Sequence, residues 1–512
     1  MSSGDSSVLI KNALANYGGF FFQIGIAFLL SPFLVHTLGD TKYGIWSIVS
    51  SLSGYLCLLD LGISSAVTRY VSRYKQSGET DEMEVIINSG FGLYALVGIF
   101  LVLISPIIAN VSVSFINVND VLSESIRIII ILTTFDVSFF LMAGAYRGVF
   151  QGLQQYGTIN FILIVTGIVK SFMFYLLLSN GYGLISMSVI AVLEKIITLI
   201  FFYFILKKYI NFRFKTSKVT RNGIKTIIQF SFFTFINMIA NQIIYYTDAF
   251  VVGYFINAAA VTYYSISWSL VEYVKKFCMS FTRVFIPAFS AMEADDDFNK
   301  IRQYLITGSK YSLLICCLFC IGLILYGREF INLWMGVEYG VISYPVLVIL
   351  VISQFIELPQ QICLAVLLGL SKHKYMSYVS LTTGIVNVIF SIALVGRYGI
   401  IGVAVGTIVP QIFIYGIFMF IYTNKCVSLS LIDYFVRSYV PVIIPSMIMV
   451  FSGVGMKNIF VIDSYISLCV NASICGIIFI VSSYFISLSK IEKNVFTSKL
   501  MWLKDKSFRV IK

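Results

Sequence analysis

Ionisable side chains lie inside stretches otherwise too apolar to hold them. Asp136, Lys170, Glu194, Lys195, Asp248, Glu272, Lys275, Lys276 and Glu357 fall well within runs of apolar residues, and Asp60, Arg283 and Lys310 lie nearer their ends. A charge at the centre of a bilayer costs about 2.5–3.5 kcal/mol. These groups cannot all face lipid, so they must face one another or water. Lysines and an arginine lining water would bind an anionic group such as a phosphate. Carboxylates in the same place would pair with the cations or take up protons.

Spacing sharpens this without deciding it. Glu272 and Lys276 are four apart and Arg283 is seven beyond, so the three share one helical face, with Lys275 one step round. One reading is a Glu272–Lys276 pair within the helix, with Arg283 reaching to the membrane interface. The other is a basic stripe along a cavity. Lys170 and Lys195 stand near mid-membrane on neighbouring spans, where they would pin helices through Glu194 or Asp136, or face the same cavity. Asp248 takes up a proton if unpaired, or pairs with a residue such as Lys276.

The elements that must carry these residues follow from composition. Of 512 residues, 58% are hydrophobic and 12% charged, with a mean hydropathy of +0.91, which excludes a soluble globule. The apolar runs span roughly 20 residues, enough to cross the hydrocarbon layer as helices. They do not alternate as barrel strands do. The sequence therefore predicts an all-α polytopic membrane protein of about fourteen transmembrane helices.

Six of those helices repeat. Val149-Phe150-Gln151-Gly152-Leu153 and Thr166-Gly167-Ile168-Val169 return as Val366-Leu367-Leu368-Gly369-Leu370 and Thr383-Gly384-Ile385-Val386, and the same offset carries Phe33-Leu34-Val35 onto Phe250-Val251-Val252. Six is even, so the two copies enter the membrane from the same side as parallel, pseudo-symmetric lobes. The expected organisation is a six-helix lobe at 1–206, a basic cytoplasmic linker at 207–226 and a second six-helix lobe at 227–422. Two further helices follow at 423–489, then a basic amphipathic tail at 490–512. A water-filled cavity between the lobes is the natural home for the charges. Within the second lobe, spans are expected near 376–395 and 400–422, and Pro32, Pro359 and Pro410 should kink the helices that hold them.

With both termini placed in the cytoplasm, twenty-five Lys and Arg residues fall on inner loops and tails. Only Lys42, Arg328, Arg397 and Lys457 fall on outer loops. That asymmetry predicts cytoplasmic termini. It also places the net charge of +12 beside anionic lipid headgroups rather than on a nucleic-acid face. No phosphate loop, nucleophile elbow or histidine zinc motif is present. Cys316-Cys317-x-x-Cys320 sits mid-span without a histidine and reads as small buried hydrophobes. No enzyme, metal or cofactor is expected.

Leu38-Gly39-Asp40-x-x-Tyr43-Gly44-Ile45-Trp46, Leu58-Leu59-Asp60-Leu61-Gly62-Ile63 and Arg69-Tyr70 resemble the opening of the polysaccharide transporter family, the Wzx-type flippases of the multidrug/oligosaccharidyl-lipid/polysaccharide exporter superfamily. Asp248-Ala249-Phe250-Val251-Val252-Gly253 and Phe330-Ile331-x-Leu333-Trp334-Met335-Gly336 extend the resemblance over most of the chain. It implies a carrier in the bacterial inner membrane that moves undecaprenyl-diphosphate-linked oligosaccharide, of O-antigen or capsule type, from the inner to the outer leaflet by alternating access. It implies a cationic cavity for the headgroup, to which Lys170, Lys195, Lys275, Lys276 and Arg283 are assigned. Asp60, Asp136, Glu194, Asp248, Glu272 and Glu357 become coupling or pairing carboxylates, with proton or Na⁺ coupling left open. Membrane lipids, a polysaccharide polymerase and a chain-length regulator are the expected partners. The alternative is a cation-coupled exporter of small drugs on the same fold, which should show an acidic cavity.

Overall fold

A computed structural model describes residues 3–115, 120–210, 214–370, 372 and 374–494. Among these residues there is no strand; nearly all are helical. The helices are α1 (Ser3–Leu38), α2 (Asp40–Leu56), α3 (Ile63–Ser77), α4 (Thr80–Phe115), α5 (Asp120–Gly152), α6 (Tyr156–Ser179), α7 (Leu184–Leu206), α8 (Arg221–Phe255) and α9 (Ala258–Arg283). They continue as α10 (Phe285–Ala294), α11 (Phe298–Met335), α12 (Val337–Gly369), α13 (Lys374–Pro410), α14 (Phe420–Cys426), α15 (Leu431–Ser438), α16 (Val440–Ile459) and α17 (Tyr465–Ile486).

Ten described helical stretches are long and apolar enough to cross a membrane, eleven if α2 and α3 form one bent span. The chain is a multi-pass helical membrane protein. α9, which carries Glu272, Lys275, Lys276 and Arg283, is not among the ten. One of the ten stretches, Tyr378–Cys426, is itself broken at Gly399. There φ is 57° and ψ −139°, a conformation that glycine adopts without a Cβ penalty. The Ser391 hydroxyl donates to Val403 O at 3.4 Å, so the two halves lie side by side and the expected spans near 376–395 and 400–422 are distinct.

Two compact units hold these helices. One gathers the described residues up to Ser265 together with Ser380–Val403, and the other gathers Ile266–Val379 with Ala404 onward. The first has a core built from Val67, Val71, Ile86, Tyr94, Phe150 and Phe202. The second centres on Phe289, Leu305, Ile362, Val366, Met419 and Tyr434.

The repeated glycine has one structural job in both units. On α5, a Cβ at Gly152 would come within 2.8 Å of Val71 Cβ and 2.9 Å of Thr68 O, both on α3. One turn earlier, a Cβ at Gly148 would meet Ser64 O at 2.9 Å. On α12, a Cβ at Gly369 would meet Phe289 Cβ at 2.6 Å and Ser290 N at 3.1 Å on α10. Small residues let helix backbones approach closely inside a membrane, where dispersion and packing drive association. The glycine shared by the two copies thus marks a close helix crossing in each unit.

Two further places depart from regularity. α2 ends in a short 3₁₀ turn, Cys57–Asp60, and α3 restarts at an angle of 43° after Leu61 (φ 51°) and Gly62 (φ 78°). Pro410 is followed by a π-helix, Gln411–Met419. Pro359 lies within the continuous helix α12, as Pro32 lies within α1. The basic connection after α7 is tied back onto α4: the Lys215 amide donates to Asn88 Oδ1 at 2.7 Å and the Lys218 ammonium lies 2.8 Å from Asp81 Oδ1. That hydrogen bond holds the Lys218 ammonium above its ordinary pKa. Beyond Asn494 the expected tail lies outside the described residues.

Candidate functional site

Three helices of the first unit bring four of the expected residues together. Glu194, on α7, is 7% exposed and accepts from the Thr198 hydroxyl at 3.1 Å and from the Lys195 ammonium. Lys170, on α6, reaches the same Glu194 oxygen at 3.8 Å and keeps 32% of its side chain exposed. Asp136, on α5, faces both lysines electrostatically, and its Oδ1 is buried without a hydrogen-bond partner among the described residues. Asp136, Lys170 and Lys195 line a cavity of about 180 Å³ with Trp46, Ser50 and Thr133. Two cations and Asp136 therefore line a small polar pocket, Glu194 pairs with both lysines beside it, and Lys170 is the loosest member.

A second cluster in this unit sits at the α2–α3 break. Asp60 Oδ2 accepts the Gly62 amide at 3.1 Å, and Oδ1 accepts the Tyr94 hydroxyl. Arg147, one turn beyond Gly144 on α5, interacts electrostatically with Asp60, donates to Phe140 O at 3.3 Å and lies 4.1 Å over the Phe140 ring. Arg147 is one of the twenty-five cations that the sequence places on inner loops and tails, yet it lies within α5. Its place between Gly144 and Gly148 was the available signal, because flanking glycines let a partner helix close over the side chain's base. Asp248 forms a separate pair: the Tyr264 hydroxyl donates to its Oδ2 at 2.5 Å, and the carboxylate is 3% exposed.

In the second unit, Lys275 Nζ lies 2.5 Å from Glu357 Oε1, both nearly sealed from solvent. Gln411, the first residue of the π-helix, donates to Glu357 Oε2 at 3.1 Å, and Gln361 donates to Oε1 at 3.4 Å. Lys276 pairs with Glu272 at 2.8 Å on the half-exposed face of α9. The side chain of Arg283 lies outside the described residues. All four lysines assigned to the headgroup thus have a carboxylate within 4 Å. Of the two readings kept for α9, the intrahelical Glu272–Lys276 pair is present. Among the described residues no cluster suits a metal ion.

A family model described as polysaccharide biosynthesis protein matches residues 9–293, more than half of the chain. The chain belongs to this family. Among curated members of similar sequence, a Shigella flexneri protein named for O-antigen transport is 22% identical over 430 residues, covering 82% of this chain and 98% of its own. A Haloferax volcanii protein named as a flippase of low-salt glycan biosynthesis is 21% identical, over 78% of this chain and 79% of its own. Such names describe transporters, not enzymes.

Solved structures agree on architecture. The lipid II flippase MurJ in an inward closed conformation superposes with a TM-score of 0.75 at 16% identity, covering 93% of this chain and 98% of that one. An inward-facing multidrug resistance transporter of the MATE family gives 0.68 at 11% identity, over 80% and 94%. At these identities the likeness establishes the fold: this chain has a MurJ- and MATE-like transporter fold.

Proposed function

We propose that the protein is a flippase for lipid-linked oligosaccharide, moving undecaprenyl-diphosphate-linked repeat units from the cytoplasmic to the outer leaflet by alternating access. The observation that carries this reading is the Asp136–Lys170–Glu194–Lys195 cluster, set against a small polar cavity inside an otherwise apolar helical unit. A sugar headgroup cannot cross hydrocarbon unaided, since each unpaired hydroxyl costs several kcal/mol. A diphosphate needs cations on its route.

Every described lysine at these sites is already paired, so the binding step is an exchange. Lys170, at 3.8 Å from Glu194 and partly exposed, is the cation that can leave its carboxylate for a phosphate while Lys195 keeps Glu194 neutralised. Lys276, 42% exposed, is the corresponding candidate on α9. The sealed Lys275 has a structural role. Asp136, with a buried oxygen lacking a hydrogen-bond partner among the described residues, is placed to take up a proton when Lys170 turns away. With the cell interior negative, outward movement of the headgroup gains about 2.3 kcal/mol per charge per 100 mV.

Complementation tests the reading. In a bacterial strain lacking its own O-antigen flippase, the chain should restore surface polysaccharide, and Lys170→Gln should not. Restored drug resistance without polysaccharide would instead favour a small-molecule exporter.

A further inference from the structure

At one face of the second unit, three basic side chains surround a cavity that the proposed transport site does not use. It encloses about 780 Å³ among the N-terminal half of α11, α15 and the turn after α17, and Arg302, Lys310, Arg437 and Glu492 line it. Lys310 is 7% exposed; its ammonium donates to Glu492 Oε2 at 2.7 Å and to Ser487 O at 3.2 Å. The single carboxylate is thereby neutralised, and it also accepts the Ser489 amide at 2.7 Å. Arg302 is anchored through Nε to Val427 O at 2.7 Å and through Nη1 to Asn299 Oδ1 at 3.2 Å, which uses two of the five guanidinium donors. Arg437 is exposed and has no ion-pair partner among the described residues, although Asp433 lies one turn away on the same helix. Three cations against one carboxylate leave the cavity positive.

The remaining wall is apolar, with Ile306, Val436, Ile486 and Ile491 among its residues. α15 buries Tyr434 and Ser438 and exposes Leu431, Ile432, Phe435 and Val436. An apolar face beside an unpaired arginine is the pattern of a helix lying at the boundary between headgroups and acyl chains. A free phosphate would need only the basic wall. A phospholipid needs both.

We propose that this cavity binds an anionic glycerophospholipid, its phosphate held by Arg302 and Arg437 and its acyl chains laid along the apolar wall. The Lys310–Glu492 pair fixes the turn after α17 that closes the site. Basic pockets at the cytoplasmic ends of transmembrane helices suit such headgroups, and the basic residues of these loops place this face in the cytoplasm.

Full-length protein in phosphatidylcholine nanodiscs, titrated with a short-chain fluorescent phosphatidylglycerol, provides the test. The Arg302→Gln/Arg437→Gln double variant should bind about thirtyfold more weakly, the effect of removing two charges worth about 1 kcal/mol each. Arg437→Gln alone, at an exposed side chain without an ion-pair partner among the described residues, should lose about fivefold with unchanged melting temperature. Lys218→Gln, a cation of the other unit, should change nothing, and Arg437→Lys should retain most binding. Unaltered affinity in Arg437→Gln and the double variant would overturn the proposal. So would displacement of the lipid by millimolar inorganic phosphate, which would identify a free-phosphate site.

Discussion

Lys275 and Glu357 form a 2.5 Å ion pair at 3% exposure each, braced by Gln411 from the first turn of the π-helix. Breaking a buried pair leaves one charge uncompensated, which costs about 3–5 kcal/mol. Lys275→Met and Glu357→Met should each lower the melting temperature of the purified protein sharply. The double Lys275→Met/Glu357→Met variant should regain most of the loss, since two apolar side chains of similar volume replace both charges. A double variant as unstable as the worse single one would contradict a purely structural pair.

Lys170 should behave oppositely. Its contact with Glu194 is long and Lys195 stays on the same carboxylate, so Lys170→Gln should lower the melting temperature far less than Lys275→Met does. Transport should fall at least about tenfold, because a charge-assisted hydrogen bond to phosphate contributes about 1.5–3 kcal/mol. Lys170→Arg should recover most of it. Surface polysaccharide in the complementation strain, scored beside thermal stability, separates the two effects.

The glycine crossings give a stability prediction with an internal control. Gly152→Ala and Gly369→Ala place a methyl group within 3 Å of a neighbouring helix and should each cost about 1–3 kcal/mol. Gly167→Ala has nothing within 4 Å of the new Cβ and should be neutral or stabilising by up to about 1 kcal/mol. Equal melting temperatures for all three would remove the packing account of the repeat.

The Lys310–Glu492 contact should loosen in acid. Burial alone would push the Glu492 carboxyl up, but the Lys310 ammonium and the Ser489 amide and hydroxyl outweigh it and hold the group below its ordinary value. A depressed folded pKa contributes stability above the unfolded value, about 4.3, and that contribution is lost as pH falls through the folded value. Hydrogen exchange of residues 487–494, corrected for intrinsic rate, should therefore be slow at neutral pH and rise well below pH 4.3. Glu492→Gln should exchange fast throughout; slow exchange in that variant would show that the turn is held by other contacts.

How much of this was legible in the sequence depended on the range of the interaction. Gly152 and Gly369 were visible as repeated letters, but the repeat alone did not separate them from the equally repeated Gly167, where a Cβ meets nothing within 4 Å. The fold-back at Gly399 was visible as a break between two apolar runs. Glu272–Lys276 was visible because four residues is one helical turn. The partner of Lys275 was not, since 82 positions of chain separate it from Glu357 and only tertiary packing brings them together. The same holds for Asp60, Tyr94 and Arg147, which meet from three helices. The π-helix after Pro410 was hidden because a proline signals a disturbance without specifying the hydrogen bonding that follows it.

The most direct measurement places the purified protein in lipid vesicles whose outer leaflet carries a fluorescent undecaprenyl-diphosphate oligosaccharide, and follows the fraction accessible to a membrane-impermeant quencher. The account predicts that the wild-type chain equilibrates the label across both leaflets far faster than protein-free vesicles do, and that Lys170→Gln slows it about tenfold or more. Wild-type protein that leaves the label in its original leaflet, while folded and oriented both ways, would contradict it.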